Sequence, residues 1–444
     1  MIRLSYDHGS IVIKGGPGTP YGQWDPRINA YRGLALYYAE IKSFLEKSGL
    51  SYSDEVLDLA PMPKLVGCLK LRSYQKEALN AWLDAGKRGV IVLPTGAGKT
   101  HVALQAIQAL TEPTLIMVPT IDLLDQWRRH LEKQFSIEAG VLGGGEDQIR
   151  AVTVSTYDSA ALRAGHLGNR FMFLVFDEVH HLPAPTYSQI AEMYAAPHRM
   201  GLTATYERED GAHEDLPRLM GGKIYELKVD QLAGRHLSNY DYEKVLVELN
   251  SQEQEDYDRE YATFTEYVKK THIRLQSAAD FQRFIMRTGR DREARKALLA
   301  RNRAFRIALN SEAKIKTLAE YLRTYRDERS IVFTRFNELV YAISRRFLVP
   351  AITYQTPKEE RREILDKFRA GTYSVIATSQ VLDEGIDVPD ASVAFILGGT
   401  GSSREYIQRL GRILRKKEGK KKARLIEFVS RETVETRISK RRHR

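Results

Sequence analysis

The sequence predicts an α/β protein with two parallel-sheet lobes, a small mixed α/β domain ahead of them and a helical insertion between them. From Leu71 to about Tyr206, short β-branched runs alternate with amphipathic helical stretches. Such alternation builds a parallel sheet covered on both faces, with its site at the carboxyl ends of the strands. A second series of the same kind begins near Ser330. Between the two, residues 251 to 310 change character: Tyr257, Tyr261, Phe264 and Val268 form one helical stripe and Phe281, Phe284 and Ile285 another, with no strand pattern.

In chain order, residues 1 to 60 open with IRLSYDHGSIVIKG, two strand-like runs about a His-Gly turn, then follow a helical pattern through YRGLALYYAEIKSFLEKSG. APMPKLVG reads as a linker, so the first lobe is assigned to 61 to 240, with GVIVL, TLIMVP, AVTVST, FMFLVF and MGLT as strands. The insertion takes 241 to 310. The second lobe, 311 to 444, has SIVFT, AITYQ, SVIAT, SVAFIL and ARLIEF as strands. One of its helices is marked by Thr356, Pro357 and Glu359 at the N-cap, N1 and N3 positions of a capping box. No repeat of fixed period is visible.

The 444 residues are 43% hydrophobic and 28% charged, an ordinary globular composition. The longest apolar runs, GVIVL and FMFLVF, fall far short of the ~18 residues a membrane helix needs, and MIRLSYDHGS carries no cleavable hydrophobic segment. A cytoplasmic protein without a membrane partner is expected. The single cysteine, Cys68, excludes an internal disulfide and a Cys-based zinc cluster. Of the formal charge of +11, the positive excess sits in two patches. Residues 269 to 309 hold 12 Lys/Arg against 3 Asp/Glu, and residues 404 to 444 hold 16 against 5. Confined excesses of this kind suit a polyanion contact, although the KRRHR tail also reads as an ordinary solvated end.

VIVLPTGAGKTHVAL, residues 90 to 104, reads as a phosphate-binding loop, but Leu93 stands where the pattern G-x-x-x-x-G-K-[ST] has its first glycine. A phosphate loop works because successive backbone N–H groups and a helix N-terminus point at the anion. The glycines that matter are those where backbone meets phosphate, and Gly96 and Gly98 are there, with Pro94, Thr95 and Ala97 completing the turn. Lys99 supplies charge, and Thr100 can place a hydroxyl on magnesium. RFMFLVFDEVHH supplies acids at a neighbouring strand end: Asp177 for the magnesium shell, Glu178 to orient and deprotonate the attacking water. His180 and His181 beside them raise a zinc reading, but the H-E-x-x-H spacing is absent. No phosphate loop follows SIVFTRFNEL, so the two lobes are expected to share one nucleotide site.

In order, LRSYQ, PTGAGKT, VPTIDLLDQW, VSTYDSA, DEVHH, GLTAT, IVFTR, ATSQVLDEGIDVPDA and QRLGRILR resemble the motif series of superfamily 2 helicases. More narrowly, GLTATYERED and the helical insert resemble the XPB (xeroderma pigmentosum group B) repair helicases of archaeal type. The resemblance implies two RecA-like helicase domains, an amino-terminal damage-recognition domain and a helical thumb, with ATP and Mg2+ as cofactors. By resemblance Gln75, supported by Arg72, reads the adenine edge; Arg412 and Arg415 act as arginine fingers; Gln408 and Asp387 face the nucleotide; and His180, Thr203 and Thr205 couple hydrolysis to the strand. The resemblance also makes Arg208, Glu209 and Asp210 a RED loop for duplex separation, and implies a small partner nuclease.

Thr120, Ser155, Thr156 and Thr334 stand at strand ends, where hydroxyls and amides can hold nucleic-acid phosphates or simply cap helices. Arg283, Arg287 and Arg290 belong to the basic excess of the insertion, the candidate clamp. The reading that results is an ATP-dependent 3′ to 5′ DNA helicase of nucleotide excision repair. An ATP-gated DNA-binding switch without processive unwinding and an RNA remodeller are the competing readings.

Overall fold

The computed structural model describes residues 2–67, 69–208, 210–227, 231, 240–275, 278–379, 391–398 and 423–442. The chain divides into two units, 1–228 and 229–444.

The first unit begins with a five-stranded sheet ordered Gln23–Asp25, Ala30–Leu34, Ser10–Lys14, Ile2–Asp7 and Tyr52–Glu55. His8 and Gly9 both take positive φ, the backbone a tight two-residue hairpin requires. Leu4, Ile11 and Ile13 pack under the helix Tyr38–Lys47 through Ile41 and Leu45. The helical pattern expected from residue 31 starts only at Ala35, because Ala30–Leu34 pairs antiparallel with Ser10–Lys14. This domain is fastened to the sheet that follows. Tyr6 Oη donates to Ala164 O and Met193 O at 2.8 and 3.0 Å, and Asn169 Nδ2 donates to Val56 O at 3.0 Å. Burial pushes the Tyr6 phenol up to about 12, so it remains a donor at any physiological pH. Tyr6→Phe is expected to cost about 1 kcal/mol, read as a lower urea midpoint for the first unit.

The second sheet of this unit runs Lys223–Glu226, Arg88–Val92, His198–Thr203, Phe173–Asp177, Thr114–Val118, Val152–Thr156, Gly140–Gly143 and Glu146–Gln148. Every pairing is parallel except the terminal hairpin. Thr114–Val118, Val152–Thr156 and Phe173–Asp177 are buried along their whole length, as continuous apolar runs require when helices cover both faces. Arg199 is buried inside it with no acid paired to it among the described residues and donates to the carbonyls of Ala191, Tyr194, Leu219 and Ala196 at 2.7, 2.8, 3.0 and 3.1 Å. Burial brings its guanidinium down to about 9.

The second unit has a six-stranded parallel sheet, ordered Tyr240–Val247, Ala423–Ser430, Val393–Ile396, Ser330–Phe333, Val375–Thr378 and Ala351–Ile352. Tyr240–Val247 pairs along its full length with Ala423–Ser430. Residues 241–247, assigned from sequence to the insertion, therefore belong to this sheet, and the helices Ser251–Lys270, Ala278–Arg287 and Arg292–Leu309 emerge from within the second unit. Asn250 and Glu253 close a capping box at the start of the first of these helices. Ala294, Ala297, Ala300, Ala304 and Ala308 form a buried small-residue stripe on the last. The helix expected at Thr356 begins one residue later. It runs Lys358–Ala370 with Pro357 at the N-cap, because Thr356 Oγ1 accepts from Thr353 N instead. The carboxyl-terminal helix Val434–Arg442 is tied in by a buried pair, Lys314 with Glu435, whose Oε2 also accepts Ser430 N at 2.8 Å.

Candidate active site

The phosphate loop joins the strand Arg88–Val92 to the helix Lys99–Leu110. Only Gly96 (φ 82°) and Gly98 (φ 77°) take positive φ in it, which is why Leu93 can replace a glycine. Leu93 is buried and prolongs the strand, its N–H donating to Thr203 O at 3.0 Å. A side chain at Gly98 would also meet Gln75 Nε2 at 2.5 Å. Gln75 holds the loop. Its Nε2 donates to Ala97 O at 2.9 Å and its Oε1 accepts Arg72 N at 2.8 Å, while Tyr74 Oη donates to Ala97 O at 2.7 Å. In this structure the amide expected to read adenine thus engages the protein at both ends. Lys99 lies over the loop, with Nζ 3.3 Å from Leu93 O.

Asp177 ends the strand Phe173–Asp177, which is not adjacent to the loop strand as expected; His198–Thr203 lies between them. Trp127 Nε1 donates to Asp177 Oδ2 at 2.8 Å and Glu178 N to Oδ1 at 3.1 Å, so the carboxylate is fixed in orientation. Burial and the neighbouring Glu178 push the Asp177 carboxyl up, against the opposing pull of Lys99. Glu178 takes left-handed φ 50°, ψ 52°, which costs a non-glycine residue roughly 1 kcal/mol and turns it out of the strand. Its Oε2 is buried without a hydrogen-bond partner, as is Thr95 Oγ1 on the loop. Buried oxygens without a hydrogen-bond partner on the loop and beside Asp177 are the hard-oxygen chemistry that fits magnesium and triphosphate. Thr100 and Asp177 would hold the metal. Among the described residues no group of three His, Cys, Asp or Glu side chains is assembled for a metal.

The intervening strand connects the two halves. Thr203 O accepts Leu93 N of the loop, while Thr203 Oγ1 lies 3.1 Å from His180 Nδ1 and donates to Thr205 O at 2.7 Å. His180 Nδ1 in turn is 3.4 Å from Glu178 Oε2. The residues assigned to coupling therefore form one polar chain between the loop and the acid.

Three family descriptions match the chain: "Xeroderma pigmentosum group B helicase damage recognition domain" over residues 4–56, "Type III restriction enzyme, res subunit" over 68–208, and "Helicase conserved C-terminal domain" over 313–417. A Sulfurisphaera tokodaii protein named DNA 3′-5′ translocase XPB2 is 45% identical over 443 residues, covering 100% of both chains. The chain belongs to the XPB helicase family. A Haloarcula marismortui relative, "Putative DNA 3'-5' helicase Rad25", is 32% identical, with 91% of this chain and 60% of that protein covered. The Mycobacterium tuberculosis "DNA 3'-5' helicase XPB" is 30% identical, with 84% and 63% covered. The crystal structure of the Pyrococcus furiosus Hef helicase domain shares the fold, with a TM-score of 0.54, 19% identity, and 84% and 98% coverage.

In this XPB-family chain the RED segment is anchored at its first residue. Arg208 donates to both carboxylate oxygens of Asp210 at 2.9 and 2.6 Å, and its remaining fork nitrogen reaches the His180 carbonyl. The Arg208 guanidinium holds the Asp210 carboxyl far below its usual range. Glu209, Asp387, Gln408, Arg412 and Arg415 lie outside the described residues.

The strand-end hydroxyls are engaged locally. Thr120 and Thr156 cap helices by accepting Leu123 N and Ser159 N, and the buried Ser155 and Thr334 donate to Thr156 O and Phe336 O. In the helical insertion, Arg283 pairs with Asp280 and Arg287 with Asp291, and both arginines line an open pocket of about 320 Å³ with Ile273, Arg274 and Phe284. Arg290 is exposed in the following turn. Sequence reasoning missed Trp127 and Tyr74, whose segments were recognised. Nothing in spacing tells that an indole will reach an acid 50 residues away.

Proposed function

We propose that the chain is an ATP-driven DNA helicase or translocase moving 3′ to 5′, acting in DNA repair by nucleotide excision. The observation that carries this reading is the polar chain from Leu93 through Thr203 and His180 to Glu178, because it joins phosphate recognition to the position of the base. Lys99 and the loop amides bind the outer phosphates, and Glu178 orients a water and takes its proton. Magnesium held by Thr100 and Asp177 would neutralise phosphate charge. Gln75 with Arg72 sits where adenine recognition and loop geometry can be linked. Arg412 and Arg415, with Gln408 and Asp387, complete the site from the second lobe, so ATP favours one arrangement of the lobes and hydrolysis releases it. Thr120, Ser155, Thr156 and Thr334 mark strand ends whose amides contact the DNA backbone, and the RED loop parts the strands. A cytoplasmic location and a small nuclease partner complete the proposal; among the described residues no helix is long and apolar enough to cross a membrane.

The test is ATP hydrolysis with single-stranded DNA, duplex DNA and RNA, followed by strand displacement on forks with a 3′ or a 5′ overhang. Stimulation by DNA and opening of the 3′-tailed fork are expected. Stimulation by RNA alone would overturn the DNA assignment, and opening confined to a few base pairs would favour the switch.

A further inference from the structure

The basic side chains of the insertion are not equally available to a ligand. Arg283, Arg287 and Arg303 each face a carboxylate, of Asp280, Asp291 and Glu260 respectively. Arg306 has Glu338 at 3.4 Å. Arg301, on the helix Arg292–Leu309, differs. Among the described residues it has neither an ion pair nor a hydrogen bond, yet it is partly buried. Its guanidinium lies 4.3 Å from the Phe305 ring centroid and 4.5 Å from that of Phe281, with Phe264 at 5.9 Å. Burial holds its pKa below the usual arginine value, and the like charge of Arg335 lowers it further. A desolvated cation next to a second cation is an unfavourable arrangement unless an anion joins it.

The surroundings fit an anion of one kind. Rings over the guanidinium fix its plane and leave its N–H edges as donors, the geometry that meets two oxygens of a phosphate. Arg335 follows the strand Ser330–Phe333, so the second cation stands at the carboxyl edge of the parallel sheet, where such sheets bind ligands. Phe336 is flanked by Arg306 at 5.8 Å and Arg335 at 5.6 Å. Guanidinium groups and rings thus interleave along the line where the insertion meets the sheet of its own unit.

We propose that Arg301, clasped between Phe281 and Phe305 with Arg335 beside it, is a binding site for a nucleic-acid phosphodiester at the base of the insertion, reading backbone and not base. The site rests on the DNA-binding function proposed above and names where in the insertion the backbone is gripped.

The experiment is DNA affinity as a function of salt for the full chain and three variants. Arg301→Met keeps a long apolar side chain between the rings and removes the charge. It is expected to lower the slope of log K against log salt by about 1, with DNA-independent ATP hydrolysis unchanged. Arg301→Lys should restore most of the slope. Arg303→Met, which removes a charge already matched by Glu260, should leave the slope nearly at the wild-type value. A wild-type slope in Arg301→Met, with or without lower thermal stability, would show that Arg301 only packs the helices. An equal loss in Arg303→Met would show a diffuse charge effect and no site. If millimolar inorganic phosphate at matched ionic strength abolishes the difference between wild type and Arg301→Met, the site takes a free anion and the phosphodiester assignment is overturned. Absence of salt-dependent DNA binding in the wild type would instead remove the functional reading itself.

Discussion

Glu178→Gln is expected to lower kcat for ATP hydrolysis by about 10²- to 10⁴-fold, the usual contribution of a positioned general base, while ATP still binds. The amide keeps the shape of the side chain and its left-handed backbone, but has no basic oxygen for the proton of water. Glu178 is suited to the role because its Oε2 is buried without a hydrogen bond, has only His180 Nδ1 near it at 3.4 Å among the described residues, and sits on a left-handed backbone at the strand end. Lys99→Ala should also abolish hydrolysis, but by a different route, because Lys99 lies over the loop and its loss weakens nucleotide binding as well. Nucleotide titration with a fluorescent ATP analogue, paired with a phosphate-release assay, separates the two. Normal turnover in either variant would refute the site.

Lys314→Met is expected to destabilise the second unit by about 3–5 kcal/mol, the cost of breaking a buried ion pair from one side. Lys314 and Glu435 are at most 1% exposed. With the ammonium gone, Glu435 keeps only the Ser430 N–H, since its Oε1 has no hydrogen-bond partner. The helix Val434–Arg442 would loosen from the strand Ala423–Ser430. Adding Glu435→Gln removes the stranded charge while keeping an acceptor for Ser430, and should recover much of the loss. Urea unfolding reports both. A single variant as stable as wild type, or a double variant less stable than the single, would show that the pair does not hold this helix.

Much of this was legible in the chain. The phosphate loop could be read through its altered first position because its two essential glycines lie where positive φ is needed. The acids were readable as the end of a fully apolar strand. The insertion's boundary was not, since YDYEKVLV carries too many polar residues to read as a strand until Ala423–Ser430 pairs with it. The helix start at Thr356 was misplaced because a threonine can serve a turn or a cap equally well, and here the turn at Thr353 takes it.

What the sequence determined by itself was the repeating strand and helix order, the two glycines of the loop and the acids that end a buried strand. These follow from local spacing, which depends only on backbone geometry and side-chain type. Tertiary structure alone decided that Thr203 stands between loop and acid, that Trp127 orients Asp177, and that Arg301, among the described residues, has no carboxylate where Arg303 and Arg306 have one. Those are meetings between residues far apart in the chain, set by strand order and by which side chains happen to face one another once the sheets are packed.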